Sequence, residues 1–169
     1  MMLETDFNGS FAALFEVQFP RLFRYLDRLG GDPDLAADLA QEAFVRLYRR
    51  GEFPDAPEAW LVTVATNLFR NSRNTGSRRR RLLTPFRGAG ALADPLPDPA
   101  ARVDAEESRR EVRVALDRLP ERERQLLLLS AEGFSYRELA GILGIAEGSV
   151  GTLLARAREA FKRELAYAT

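Results

Sequence analysis

SYRELAGILGIAEGSVGTLLARAREAFKREL, residues 135–165, decides the fold. Ser135 and Glu138 form the S-x-x-E pattern of a capping box, which satisfies two orphan backbone donors and so starts a helix. Leu139, Ala140, Ile142 and Leu143 give that helix a buried face. Gly144 then stands where a left-handed residue ends a helix, and Ile145 turns back to the core. A second helix follows, with Val150, Leu154, Ala157 and Phe161 within about 80° of arc at 100° per residue. Thr152, Ala155, Arg156, Glu159 and Arg163 take the opposite arc, with Ser149 at its edge. A glycine-bearing turn of three to four residues marks the DNA-reading form of a helix pair rather than a plain hairpin. Short polar side chains followed by arginines on an exposed helix suit a major groove.

Outward from this pair, helical periodicity runs nearly throughout and strand signals are weak. Upstream lie PERERQLLLLSAEG, opened by Pro120, and a helix at roughly 106–118 with Val112, Ala115, Leu116 and Leu119. Residues 82–105 are rich in Pro, Ala, Gly and Asp, have no sustained period, and read as a linker. The expected architecture is all-α: two small helical domains, 1–81 and 106–169, joined by that linker. In the first domain, Phe11, Leu14, Phe15, Leu22, Phe23, Leu26 and Leu29 recur at helical spacing, and Pro20 is expected to break or kink the run. Gly30 and Gly31 end it. Asp32 caps the next helix and Pro33 fits its first turn. Leu35, Leu39, Ala40, Ala43, Phe44 and Leu47 form its core side, and Gly51 stops it. After GEFPDAP a third helix places Trp60, Leu61, Val64, Ala65 and Leu68 on an expected buried stripe, with Trp60 read as core. It runs into RNSRNTGSRRRR, residues 70–81, which hold Arg70, Arg73 and Arg78 to Arg81 and no acid.

Composition excludes much chemistry. The chain has 169 residues, 46% of them hydrophobic, which is ample for a core, and no cysteine or histidine. Disulfides, thiolates, imidazole ligands and Ser-His or Cys-His nucleophile systems are absent with them. No paired-carboxylate or glycine-rich phosphate motif stands out, so neither an enzyme nor a bound cofactor or metal is expected. The amino terminus lacks a signal-peptide pattern, and no apolar run approaches the roughly 18 residues of a membrane span. A cytoplasmic protein without membrane insertion is expected. Net charge is zero, and Lys162 is the sole lysine beside many arginines. Arginine's planar fork suits phosphates and base edges.

Residues 135–158 resemble the region 4 helix-turn-helix of sigma-70 family factors of the extracytoplasmic-function type, and ALDRLPERERQLLLLSAEGFS is similar to the lead-in of that region. FEVQFPRLFRYLDRLGGDPDLAADLAQEAFVRLYRRG resembles regions 2.1 and 2.2, and PEAWLVTVATNLFRNSRNTGSRRRR resembles regions 2.3 and 2.4. The resemblance implies a dissociable RNA polymerase subunit that opens the −10 element with its first domain and binds the −35 element with its second. It implies a core-polymerase docking face at Asp38, Gln41, Glu42, Val45 and Arg49. It implies −10 contacts from Asn67, Arg70, Asn71 and Arg73, near the loop GEFPDAP that in the family helps hold a flipped-out base. The run Arg78, Arg79, Arg80 and Arg81 reads as a phosphate-binding segment. For the −35 element it implies Ser149, Thr152, Arg156, Arg158, Lys162 and Arg163. The chain departs from the family pattern at Asn71, Ala146, Gly151 and Leu153, where an aspartate, a capping serine and basic residues are common. An anti-sigma protein is a further implied partner. The competing reading is a helix-turn-helix regulator that binds DNA without polymerase; the DLAQEAF helix and the arginine-rich extension argue against it.

Overall fold

The computed structural model describes residues 2–74 and 99–168. The chain divides into two compact units, residues 1–91 and 92–169. The first holds α1 (Met2–Gly30), α2 (Pro33–Arg50) and α3 (Pro57–Asn74). The second holds α4 (Pro99–Asp117), α5 (Glu121–Ala131), α6 (Tyr136–Leu143) and α7 (Glu147–Ala168). There is no strand among the described residues, so the all-α expectation stands.

Local chemistry sets the boundaries of α2. Asp32 accepts a hydrogen bond from the Leu35 N–H at 3.1 Å, and Pro33 stands at the first helical position. Gly51, at φ 74°, ends the helix in the left-handed region with its N–H on the Tyr48 carbonyl. Glycine reaches that region without a Cβ penalty. The core of this unit joins Leu22, Tyr25, Leu26 and Leu29 of α1 to Ala36, Leu39, Ala40, Ala43, Phe44 and Leu47 of α2 and Leu61, Val62, Ala65 and Phe69 of α3. Each large apolar side chain buried in this way contributes about 1.5–3 kcal/mol. One polar link crosses the core: the Tyr25 hydroxyl meets Thr66 Oγ1 at 3.0 Å, both residues being fully buried.

Three expectations are corrected. α1 does not break at Pro20; it is continuous from Met2 to Gly30. Phe15 and Phe19 before the proline both pack on Phe44, with centroids at 4.9 and 6.1 Å, while Leu22 and Phe23 after it enter the core. Packing on both sides outweighs the lost hydrogen bond. The buried stripe of α3 is Leu61, Val62, Ala65, Thr66 and Phe69, whereas Trp60, Val64 and Leu68 are half-buried. Finally, residues 99–105, read as linker, form the first turns of α4. Pro99 suits the start of a helix, and the Ala, Glu and Arg that follow are strong helix formers. No apolar period announces these turns in the sequence, and Val103 is 63% exposed.

In the second unit Ala115, Leu116, Leu119, Leu126, Leu128, Leu129, Leu139, Ile142, Leu143, Val150, Leu154 and Ala157 are buried together. Val112, expected among them, is exposed. Ion pairs Arg118–Glu164 at 3.6 Å and Arg113–Asp117 at 3.2 Å lie at the surface, where such pairs are worth about 0–1 kcal/mol.

Candidate nucleic-acid and polymerase interface

The Ser135 capping box is complete. Ser135 Oγ accepts from the Glu138 N–H at 3.2 Å, and Glu138 Oε2 accepts from the Ser135 N–H at 2.8 Å. Gly144, at φ 64°, ends α6, and the N–H groups of Gly144 and Ile145 both donate to the Ala140 carbonyl. α6 and α7 then stand at 90° to one another, within the range of a DNA-binding helix pair. The core face of α7 is Val150, Leu154 and Ala157, with Phe161 half-buried.

Ser149, Thr152, Arg156, Arg158, Lys162 and Arg163 are all exposed on α7, but they do not form one patch. At 100° per residue, Ser149, Thr152, Arg156 and Arg163 share a strip about 60° wide. Arg158 and Lys162 fall on the other flank, about 80° or more away. Glu159 lies between the strips, and its Oε1 accepts from Lys162 Nζ at 3.1 Å. Gly148 and Gly151 lie inside α7, each at a helix cost of about 1 kcal/mol. Gly151 faces the ring of Tyr136, which is 49% exposed.

On α2, Asp38, Gln41, Glu42, Val45 and Arg49 fall within about 100° of arc, opposite the buried side. Asp38, Gln41 and Arg49 are exposed; Glu42 and Val45 are half-buried. Glu42 pairs with Arg46 at 3.0 Å.

On α3, Asn67, Arg70 and Asn71 share the face opposite the core within about 100°. Trp60 stands on the same line, seven residues before Asn67, together with Val64. Trp60, expected in the core, is half-buried on this line instead, and its seven-residue spacing to Asn67 is the signal in the sequence for that placement. Arg73 leaves this face, and its guanidinium lies 5.8 Å over the Phe69 ring. The expected nearness of these residues to the loop at 51–56 is also corrected. The loop enters α3 at Pro57, so Asn71 and Arg73 sit about 21 and 24 Å further along the axis at 1.5 Å per residue. Arg78, Arg79 and Arg80 lie outside the described residues. The described residues hold no cluster of acids that would bind a metal, and no single helix among them is long and apolar enough to cross a membrane.

A three-helix unit followed by a unit built around a right-angled helix pair is an all-α, two-unit architecture whose second unit has the geometry of a DNA-binding helix pair. Comparison with known proteins agrees: residues 14–79 match the Sigma-70 region 2 family and residues 109–161 the Sigma-70, region 4 family. The chain belongs to the ECF RNA polymerase sigma factors, the dissociable subunits that direct core polymerase to promoters. It is 36% identical over 144 residues to ECF RNA polymerase sigma factor EcfG of Rhodopseudomonas palustris, covering 82% of this chain and 76% of that one. It is 32% identical over 168 residues to sigma factor SigL of Mycobacterium tuberculosis, covering 90% and 87%. The match to SigE of Mycolicibacterium smegmatis, 33% identical, spans 86% of this chain and 58% of that protein. In fold, the chain is similar to the sigma factor RpoE solved in complex with the anti-sigma factor NepR from Bartonella quintana. That likeness has a TM-score of 0.69 at 23% identity and covers 92% of this chain and 96% of the other.

Proposed function

We propose that the two units divide promoter recognition between them. The first docks on core polymerase through the α2 face of Asp38, Gln41, Glu42, Val45 and Arg49. It then holds the non-template −10 strand along the outer face of α3. Trp60 offers a stacking surface there, Asn67, Arg70 and Asn71 offer hydrogen bonds, and Arg73 and Arg78 to Arg80 offer phosphate contacts. The alignment of Trp60, Asn67, Arg70 and Asn71 on one face, turned away from the core, carries this reading. The 18 residues of α3 span about 27 Å, longer than a six-nucleotide element of about 20 Å at 3.4 Å per step. The loop at 51–56 and the end of α3 therefore serve opposite ends of the strand rather than one base. Opening a base costs a few kcal/mol, which stacking and hydrogen bonds must offset.

The second unit reads the −35 element through Ser149, Thr152, Arg156 and Arg163. Arg158 and Lys162, on the far flank of α7, contact phosphates rather than base edges. With glycines at 148 and 151 and no basic residue at 153, this reading is weak on its own and depends on polymerase to hold the unit in place. The protein acts by binding, without catalysis of its own, in the cytoplasm where polymerase works. An anti-sigma protein, of the kind bound to the structurally similar RpoE, is a partner that would hold it inactive. Run-off transcription with purified core polymerase on genomic fragments tests the whole reading. Promoter-specific transcripts should appear only with the chain added, and Glu42→Arg should reduce capture of core enzyme. A chain that binds promoter duplex but never retains core polymerase would be a plain DNA-binding regulator instead.

A further inference from the structure

The aromatic side chains of the first unit form a continuous ladder whose last rung leaves the core. Phe15 and Phe19 meet Phe44, and Phe11 meets Phe44 and Tyr48 with centroids 6.0 and 5.2 Å apart. One helical turn earlier, Phe7 passes the end of α2. It meets Phe53, in the middle of the loop at 51–56, at 5.0 Å, and touches Tyr48 at 6.1 Å. The surrounding residues of α1, Asp6, Asn8, Gly9, Ser10, Ala12 and Ala13, are exposed. This stretch of helix therefore has little packing of its own to achieve, and its contact with the loop stands out. The loop needs such a contact. It leaves α2 through the left-handed Gly51, and the ion pair at its start, Arg50 to Glu52, is exposed. Phe53 is half-buried, and a ring from α1 lies against it.

We propose that Phe7 is a positioning residue for −10 strand capture: it clamps Phe53 and so fixes the loop at 51–56 in its strand-receiving shape. This rests on the role given to that loop above. A loop held in place before the strand arrives loses less conformational freedom on binding, and the saving appears as affinity. The rings that Phe7 meets outside α1, Phe53 and Tyr48, are not among the residues given to core docking or to the −35 element, so the effect belongs to the −10 step. Phe7 itself contacts no nucleotide.

The test uses holoenzyme reconstituted from the full chain and purified core polymerase, with a promoter taken from run-off transcription. Three affinities are measured: for core polymerase, for −35 duplex, and for a labelled single-stranded non-template −10 oligonucleotide. Phe7→Ala should weaken capture of the single strand about two- to ten-fold, the worth of one aromatic pair, and leave the other two affinities within about two-fold. Phe7→Tyr should restore capture. Phe53→Ala should show the same loss, and the double variant should lose no more than either single one. Phe7→Leu keeps the apolar bulk if Phe7→Ala unfolds; it should fold and still capture the strand less well than Phe7→Tyr. Undiminished capture by both Phe7→Ala and Phe7→Leu overturns the clamp and leaves the loop's role intact. An equal fall in all three affinities also overturns it, because Phe7 would then be ordinary packing. Failure of the unaltered holoenzyme to hold the oligonucleotide refutes the loop's role, and the clamp with it.

Discussion

Gly30→Ala is a one-methyl change that should loosen α3 from α1. An alanine Cβ at Gly30 would lie 2.7 Å from Phe69 Cε2 and 3.4 Å from Cζ. Ordinary carbon contacts begin near 3.5 Å, so the ring must retreat by most of an ångström. Phe69 is 2% exposed and cannot swing into solvent. Overpacking of this kind costs about 1–3 kcal/mol. Replacing glycine by alanine in a helix returns up to about 1 kcal/mol, less at a helix end. A net loss of about 1–2 kcal/mol is expected, and at about 4–8 °C per kcal/mol for a unit of this size the melting midpoint should fall by about 4–16 °C. Trp60, the single tryptophan, sits on α3 and reports this unit alone, so thermal melting followed by its fluorescence is the assay. A midpoint unchanged or raised would refute the argument, because α1 and α3 could then not be seated as closely as described.

Three further outcomes are expected. Gly151→Lys should stabilise the second unit by up to about 1 kcal/mol through helix propensity, since its Cβ meets Tyr136 only at an ordinary 3.5 Å; it should also steepen the salt dependence of −35 duplex binding by about 0.9 in log–log slope, read by fluorescence anisotropy over a salt series. Arg156→Ala should weaken that binding by about 1–3 kcal/mol if the side chain reads a base edge, with relaxed sequence preference; unchanged promoter-specific transcription would remove Arg156 from the reading face. Ser135→Ala removes one half of the capping box and should cost about 1 kcal/mol, measured by denaturant melting of helical circular dichroism.

What was legible in the sequence was what local chemistry decides. Asp32, Gly51, Ser135, Glu138 and Gly144 act within a few residues of themselves, and each stands in its expected role. The side chains named on α2 share one outer face because the opposite alanine and leucine stripe has a single clear phase. α3 misled because two stripes compete: Trp60, Val64 and Leu68 are as apolar as Leu61, Ala65 and Phe69. The choice between them is made from outside the helix, by the Tyr25 hydroxyl on Thr66 and by Gly30 under Phe69. The first turns of α4 were missed because their sequence offers helix propensity without an apolar period. On α7 the same 100° per residue that sets Arg156 and Arg163 opposite the core sets Arg158 and Lys162 on another flank, so the two strips follow from the sequence once the helix is placed. The link from Phe7 to Phe53 joins residues far apart in the chain, and no spacing rule reveals it.

The proline inside α1 divides that helix into parts of unequal durability. Pro20 has no N–H to donate, so the rung to the carbonyl of Glu16 is missing and the ring crowds that turn. Carboxyl-terminal to it, Leu22, Tyr25, Leu26 and Leu29 are sealed in the core; before it, Glu16 and Val17 are exposed. Amides of residues 6–10, which precede the rings packed on Phe44, should therefore exchange with solvent through small openings that leave the core closed, while those of 22–29 exchange only when the whole unit unfolds. A segment that melts by itself can be gripped, nicked or reordered by another molecule without dismantling the rest.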